Sequence, residues 1–307
     1  MTQGDITGKL FEGPAVWKRR DLHRFPNPTC RSVDGTPTLS SLAEAIAEVR
    51  SELLFGPGFS VLHGFGPDSI HPEFIEQLCC ELRQQVGEIV PQNTEGDLLR
   101  QVTDLGEANG NQDEHRARGH RGHARMSPHT DSADIVVLLC IRPARHGGAN
   151  ALCSSSAIHN EILVRRPEYL KPLYRGFYLD LTGKTATGPS VTSRRIPVFS
   201  RHHSKLSCVF NKERIILGMQ EIGEPLDGLE LEAVQCVSTL AESDEFSLRF
   251  VLKTGDVLFL NSHQTLHARD EYEDWPEADR KRLLLRLWLD LPRSEPIDRF
   301  GNRARSG

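Results

Sequence analysis

The amino-acid sequence predicts a mainly β fold, a barrel or jelly roll with helices on its periphery. Strand candidates are numerous and short, and the purest apolar run is only the seven residues 135–141. Helix candidates do not alternate regularly with the strands, as they would in a parallel α/β sheet. The chain has no internal repeat and no convincing linker, so we expect a single domain over residues 1–307.

Composition narrows the functional classes. The formal net charge of −5 argues against a nucleic-acid partner. The seven cysteines are an odd number without C-x-x-C spacing, which argues against a disulfide framework and fits a reducing compartment. No run approaches the roughly 20 apolar residues that cross a membrane. We therefore expect a soluble, cytoplasmic protein that binds a small molecule, with an oligomeric state that the sequence leaves open.

The elements follow from local patterns. Residues 1–37 are expected to form an arm on the domain, and Ser41 with Glu44 has the spacing of a capping box at a helix start. Residues 106–128 are polar, basic and glycine-dotted, which suits either an active-site lid or a solvated loop. In chain order, the expected elements are a helix over 42–53, a strand over 59–62, a helix over 72–86, a strand over 135–141, a helical stretch over 157–174 interrupted at Arg166-Pro167, short strands over 196–199, 206–210 and 214–217, a helix over 229–240, and strands over 257–260 and 282–291.

His129 and Asp131 are candidate metal ligands beside the apolar run. On a strand, side chains at i and i+2 point to the same face and can hold one ion. His267, shortly after the strand at 257–260, can supply a third ligand. Two imidazoles and one carboxylate suit non-haem Fe(II), but zinc hydrolases use the same set, so the ligands leave the metal open. The neighbouring His263 is a competing candidate, because it could chelate zinc with His267 on a helix.

Arg282 and Arg286 have even spacing on the last predicted strand. They would share its inner face if Leu283 and Leu285 point outward. Because an unpaired buried charge is costly, two inward guanidinium groups need anionic partners. The guanidinium fork matches a carboxylate, as a dicarboxylate co-substrate would require.

Several motifs occur in a specific order. They are His-Thr-Asp at 129–131, Leu-Leu-Cys-Ile-Arg-Pro-Ala at 138–144, Gly-Gly at 147–148, Gly-Asp at 255–256, Leu-His-Ala-Arg at 266–269 and Arg-Leu-Leu-Leu-Arg-Leu-Trp-Leu at 282–289. This ordered set resembles the taurine dioxygenase-like (TauD/TfdA, clavaminate synthase-like) family of Fe(II)/2-oxoglutarate-dependent oxygenases, over about residues 59–291. The resemblance implies a double-stranded β-helix (jelly-roll, cupin-like) core, and Fe(II), 2-oxoglutarate and O₂ as cofactors.

The resemblance also implies roles for single residues. His129, Asp131 and His267 would form the catalytic metal centre, since Leu266-His267-Ala-Arg269 matches the family and favours His267 over His263. The carboxylate of Asp131 argues against halogenation, because related halogenases replace it to make room for chloride.

Three more residues would hold the co-substrate. Arg282 matches the arginine that pairs with the distal carboxylate of 2-oxoglutarate. Arg286 matches a second family arginine that lies near co-substrate or substrate. Asn150 stands where many members have Thr or Ser, whose hydroxyl helps hold 2-oxoglutarate, and an amide can donate a hydrogen bond there.

The implied activity is hydroxylation of a small polar or anionic, amino-acid-like metabolite, with release of succinate and CO₂. Desaturation or cyclisation by the same radical chemistry is an alternative. Two further alternatives are a two-His-one-Asp zinc hydrolase and a non-catalytic protein that binds 2-oxoglutarate or metal.

Overall fold

A computed structural model of the chain describes residues 9–24, 31–32, 39–67, 70–93, 95–104, 122–181, 189–202 and 205–292. The helices of these residues are α1 (Leu39–Phe55), α2 (Pro72–Gln85), α3 (Ser155–Arg165), α4 (Leu170–Arg175), α5 (Lys212–Glu221) and α6 (Gly228–Glu242). The strands are β1 (Arg31–Ser32), β2 (Phe59–His63), β3 (Glu88–Ile89), β4 (Leu99–Val102), β5 (Met126–His129), β6 (Ile135–Arg142), β7 (His146–Gly147), β8 (Asn150–Ser154), β9 (Phe199–His202), β10 (Lys205–Cys208), β11 (Leu248–Phe250), β12 (Val257–Asn261), β13 (Thr265–Arg269), β14 (Tyr272–Glu273) and β15 (Leu283–Asp290).

Two sheets form the core of the protein. The larger has the strand order β1-β2-β12-β6-β15-β3, with β4 also paired to β15. The smaller has the order β11-β8-β13-β5. Among the described strands, only the β1–β2 pair is parallel. This arrangement confirms the predicted jelly-roll class.

The central strands of the larger sheet are apolar on both faces. Along β6, Val136 and Leu138 pack between the two sheets. The alternate residues Ile135, Val137 and Leu139 pack on the other face, in a cluster with residues of α1 and α2. A strand that is covered on both faces needs apolar side chains at successive positions. This explains why residues 135–141 form a continuous apolar run.

The predicted helices are confirmed, with a correction at the start of α1. α2 begins at Pro72 after His71, whose side chain accepts a hydrogen bond from the backbone N–H of Phe74. α1 begins at Leu39, so Ser41 lies inside the helix and its assignment as the cap was wrong. The helical stretch after β8 is interrupted at Arg166 and Pro167, as expected.

The prediction of a strand over 214–217 was wrong, because these residues lie in α5. The side chain of Asn211 accepts a hydrogen bond from the backbone N–H of Arg214 and caps the helix. Ile215 and Met219, four residues apart, then face the core together. An Asn cap followed by this spacing was the available helix signal.

Smaller differences concern the strand ends and the amino-terminal region. The strands expected at 196–199 and 206–210 lie at Phe199–His202 and Lys205–Cys208, paired as an antiparallel hairpin. Within the expected arm, the indole of Trp17 is fully buried and donates a hydrogen bond to the carbonyl of Pro57. Most of the expected lid, at 106–121, lies outside the described residues. None of the described helices is both long and apolar enough to cross a membrane.

Candidate metal centre

His129, Asp131 and His267 come together between the two sheets. Their ligand atoms all lie within 4.8 Å of one another. The Nε2 atoms of His129 and His267 are each 3.9 Å from an oxygen of Asp131. The described residues contain no second group of three such side chains.

The backbone route to this grouping differs from the expected one. His129 is the last residue of β5, whereas Asp131 lies in the turn before β6, so the two do not share a strand. His267 stands directly opposite His129 in the β13–β5 pair, with ring centroids 4.3 Å apart. Cross-strand neighbours on one face are close enough to bind the same ion.

β5 carries an irregularity beside the site. Its register with β13 shifts between the pairs His267–His129 and Arg269–Met126, so three steps along β5 match two along β13. Pro128 lies within this stretch, at an edge of the smaller sheet, where a proline removes no essential ladder hydrogen bond. The bulge sets which residues of β5 face the site.

Hydrogen bonding and burial fix the state of the two imidazoles. His129 Nδ1 lies 2.8 Å from the carbonyl oxygen of Ser127 and donates to it, which leaves the Nε2 lone pair toward Asp131. Burial is the main cause that lowers the pKa of His267 to about 3; the neighbouring His129 and Arg286 act in the same direction, and Asp131 opposes them. His267 is therefore neutral at ordinary pH, as a metal ligand must be.

The carboxylate of Asp131 is oriented by groups on β15. Its Oδ2 accepts a hydrogen bond from Trp288 Nε1 at 3.0 Å and a longer contact from Arg286 Nη1 at 3.4 Å. Arg286 is itself held by Gln92, whose Oε1 accepts from Arg286 Nε at 2.7 Å. Neither Gln92 nor Trp288 was among the predicted site residues, although the even spacing of Trp288 from Arg286 places both on one face of β15.

A small cavity of about 40 Å³ lies next to the two imidazoles. Its polar lining includes His129 and His267 together with Asn150, Arg282 and Arg286. All three predicted co-substrate residues therefore face the same space as the imidazoles, and the remaining lining is mostly apolar. Leu285 packs on the outer face with the α1 and α2 cluster, as the expected alternation of β15 requires.

Arg282 is arranged for an anion. Its side chain is only 4% exposed, and its Nη1 has no hydrogen-bond partner among the described residues. Burial lowers the pKa of Arg282, and nearby Tyr272 partly opposes this. Arg269 lies near Arg282, and burial together with the charge of Arg282 lowers the pKa of Arg269 to about 10. Two neighbouring buried cations favour a bound carboxylate, so this part of the site fits a dicarboxylate such as 2-oxoglutarate.

His263 has no nitrogen available for a metal. Its Nε2 lies 2.8 Å from Asp134 Oδ1, and its Nδ1 lies 2.8 Å from the Ser207 hydroxyl. The other oxygen of Asp134 accepts the backbone N–H of Leu291. This buried network connects the turn after Asp131 to the segment before His267.

The described end of the loop before β5 contacts the same region. His123 Nδ1 lies 3.3 Å from Asp104 Oδ2. Arg269 donates to the carbonyls of Gly122 and Ala124. His115 and His120, which precede His123 in the sequence, lie outside the described residues.

Comparisons with known proteins give one family. The model of the family described as "Taurine catabolism dioxygenase TauD, TfdA family" matches residues 24–288. FR-33289 synthase of Streptomyces rubellomurinus is 27% identical over 302 residues, which cover 95% of this chain and 84% of that protein. The taurine hydroxylase-like protein SAT17 of Stachybotrys chartarum is 34% identical over 178 residues, but these cover 55% of this chain and 44% of that protein.

Solved structures share the fold at low sequence identity. Asparagine oxygenase in complex with Fe(II), 2S,3S-3-hydroxyasparagine and succinate has a TM-score of 0.62 and 17% identity, over 81% of this chain and 79% of that one. The non-heme iron oxygenase OrfP in complex with Fe and alpha-ketoglutaric acid has a TM-score of 0.58 and 16% identity, over 82% and 84% of the two chains. The likeness extends over most of both chains.

Proposed function

The chain belongs to the taurine catabolism dioxygenase TauD, TfdA family, and we propose that it hydroxylates a small polar or anionic, amino-acid-like molecule. It is an Fe(II)- and 2-oxoglutarate-dependent dioxygenase that uses O₂. The proposal includes His129, Asp131 and His267 as the iron ligands, and the whole chain as one oxygenase domain. The convergence of these three side chains beside a buried, partly unsatisfied Arg282 is the observation that carries it.

The chemistry comes from the bound groups, and the protein positions them. When bound, iron and 2-oxoglutarate would supply the activation of O₂ for attack on a C–H bond, with succinate and CO₂ as by-products. Arg282 would pair with the far carboxylate of 2-oxoglutarate, and Asn150 would add a hydrogen bond from its amide. Trp288 and Arg286 hold the Asp131 carboxylate, so that it does not reorient when the site is loaded.

Apolar side chains keep the centre dry. Val136, Leu138 and Leu284 line the same cavity as the imidazoles and Arg282. They exclude water from the face of the co-substrate and strengthen the carboxylate–guanidinium pair, since charges interact more strongly away from water.

Amino acids are the first substrates to test. The asparagine oxygenase structure contains a hydroxyasparagine, and OrfP has been solved with (3S)-hydroxy-L-Arg. Succinate release should be measured with a panel of free amino acids and related anions, and the product examined by mass. A gain of one oxygen supports hydroxylation, whereas a loss of two hydrogens indicates desaturation or cyclisation.

The cofactor site is tested without substrate. Anaerobic addition of Fe(II) and 2-oxoglutarate should give a weak visible charge-transfer band. Arg282→Met should raise the 2-oxoglutarate concentration required by roughly tenfold or more, because a charged hydrogen-bonding partner is lost. Arg280→Met, on the exposed side next to Trp275, is the matched control and should titrate like the natural protein.

Two outcomes would favour the rival functions. Absence of the band, with hydrolysis supported by zinc, would identify a zinc hydrolase with the same ligand set. A normal band without succinate release for any metabolite of a broad panel would identify a non-catalytic binding protein.

A further inference from the structure

Arg214 lies beside the metal centre on a segment that is hydrogen-bonded to it. Asn211 pairs with His129 in an isolated antiparallel bridge. Asn211 also caps α5 by accepting the backbone N–H of Arg214 at 3.0 Å. Arg214 therefore lies on the first turn of a helix whose start is tied directly to a predicted iron ligand.

The guanidinium of Arg214 is anchored on one side only. Its Nε donates to the carbonyl of Asp180 at 2.7 Å, and the backbone N–H of Asp180 donates to the carbonyl of Arg214 at 2.9 Å. These two hydrogen bonds fix the position of the Arg214 side chain between α5 and the backbone at Asp180. The terminal nitrogens remain to hold a ligand, in the fork geometry that recognises oxyanions.

No carboxylate of the described residues forms an ion pair with Arg214. Two other arginines do have such a partner: Arg195 pairs with Glu224, and Arg175 pairs with Glu230. Arg214 is half-buried, and burial lowers its pKa against the opposing effects of Asp180 and Asp131. Burying the charge of Arg214 costs free energy unless an anion pairs with the guanidinium.

Arg214 is also separate from the predicted co-substrate site. The cavity that contains Arg282, Arg286 and Asn150 is not lined by Arg214. Nevertheless, the bridge between Asn211 and His129 holds the start of α5 beside the metal centre, and the charge of Asp131 raises the pKa of Arg214 against the effect of burial. An anion held by Arg214 would therefore lie next to the metal centre without competing for Arg282.

We propose that Arg214 binds an oxyanion group of the primary substrate, and thus that the substrate carries a carboxylate or a tetrahedral oxyanion near its oxidised carbon. This inference rests on the proposed function, because it takes the centre to hold iron and 2-oxoglutarate. It narrows the substrate class from polar molecules in general to anionic ones and names the residue that selects them.

The test uses the anaerobic protein loaded with Fe(II) and 2-oxoglutarate. Acetate, sulfate and methylphosphonate are added as oxyanion probes and acetamide as a neutral probe, while the visible charge-transfer band is recorded. At least one oxyanion should change the band saturably, and acetamide should not. A response to acetate alone indicates a carboxylate substrate, and a response to sulfate or methylphosphonate indicates a tetrahedral oxyanion.

Variants assign the response to Arg214. Arg214→Gln should weaken oxyanion binding by about tenfold or more, because a charged hydrogen-bond donor is lost, and should leave the 2-oxoglutarate titration unchanged. Arg214→Lys keeps the charge and should retain part of the affinity, which also covers the case in which the Gln variant fails to fold. Arg195→Gln removes a nearby arginine that has its own carboxylate partner and should bind the probes normally.

Three results would overturn the inference. One is a natural protein whose normal band responds to no oxyanion. Another is a folded Arg214→Gln variant that binds the probes unchanged. Failure of the band itself would overturn the proposed function, and this inference with it.

Discussion

Ring nitrogens determine which histidines of this chain can bind a metal. His129 uses Nδ1 on the carbonyl of Ser127 and keeps Nε2 for the centre. His263 uses both nitrogens, on Asp134 and Ser207. A sequence motif cannot distinguish these cases by spacing alone, because His263 and His267 are only four residues apart. The match to Leu266-His267-Ala-Arg269 indicated the available imidazole, and the hydrogen bonds supply the physical reason.

Another buried histidine gives the protein a pH dependence. His159 is 3% exposed, its Nε2 lies 2.9 Å from the Tyr174 hydroxyl, and Phe11 and Phe199 contact its ring edge-on. Burial, helped by Arg201, lowers its pKa from 6.5 to about 4. The folded state therefore favours the neutral ring, and its contribution to stability is complete above pH 6.5 and is lost as the pH falls toward 4.

We expect His159→Gln to remove this dependence. The free energy of unfolding of the natural protein should fall below pH 6.5 more steeply than that of the variant, by on the order of 3 kcal/mol in total. Urea unfolding at a series of pH values measures the difference. Substitution of the exposed His146 is the control, and equal slopes for the natural protein and His159→Gln would contradict the assignment.

At the scale of elements, β15 carries on one face the two side chains that contact the Asp131 carboxylate. Arg286 and Trp288 face inward to Asp131, whereas Leu285 and Leu287 pack outward with the helices. This alternation was predictable, because a strand of known faces has only two choices for each side chain. The position of Asp131 in a turn was not, since a His-x-Asp triplet reads equally well as the end of a strand.

The network of Asp134, His263 and Ser207 connects elements that carry the ligands. We expect Asp134→Ala to lower the free energy of unfolding by about 3–5 kcal/mol, because it removes the carboxylate that His263 and the N–H of Leu291 contact in a buried position. Denaturant titration checks this. Asp270→Ala, which removes a half-exposed pair with Arg249, is the matched control and should cost about 1 kcal/mol or less. Similar losses in both variants would refute a structural role for the buried pair.

At the scale of the whole molecule, the predicted ligands join different parts of the chain. His129 and His267 lie on two strands of the smaller sheet, and Asp131 leads into the larger one. The sequence was sufficient to predict the jelly-roll class and to predict that these three residues lie together, because the order of motifs along the chain reflects the fold. It was not sufficient for Gln92, Trp288 or Arg214, whose roles depend on contacts between distant segments.

Ligands that bind across these segments should stabilise the folded protein. Fe(II) with 2-oxoglutarate, at about 100 times the dissociation constant, should add about 2.7 kcal/mol to the free energy of unfolding. Anaerobic thermal unfolding with and without a chelator measures the effect. Asp131→Ala should abolish the metal-dependent part of the shift, and a full shift in that variant would disprove its role as a ligand.

The bulge in β5 makes the centre depend on chain length as well as on residue identity. Between the two matched pairs, β5 has one residue more than β13. Removing Ser127 or Pro128 would abolish this irregularity and would change which residues between Met126 and His129 face the site. Insertions and deletions in this short segment should therefore be tolerated less well during divergence than substitutions, even though no metal ligand would be lost.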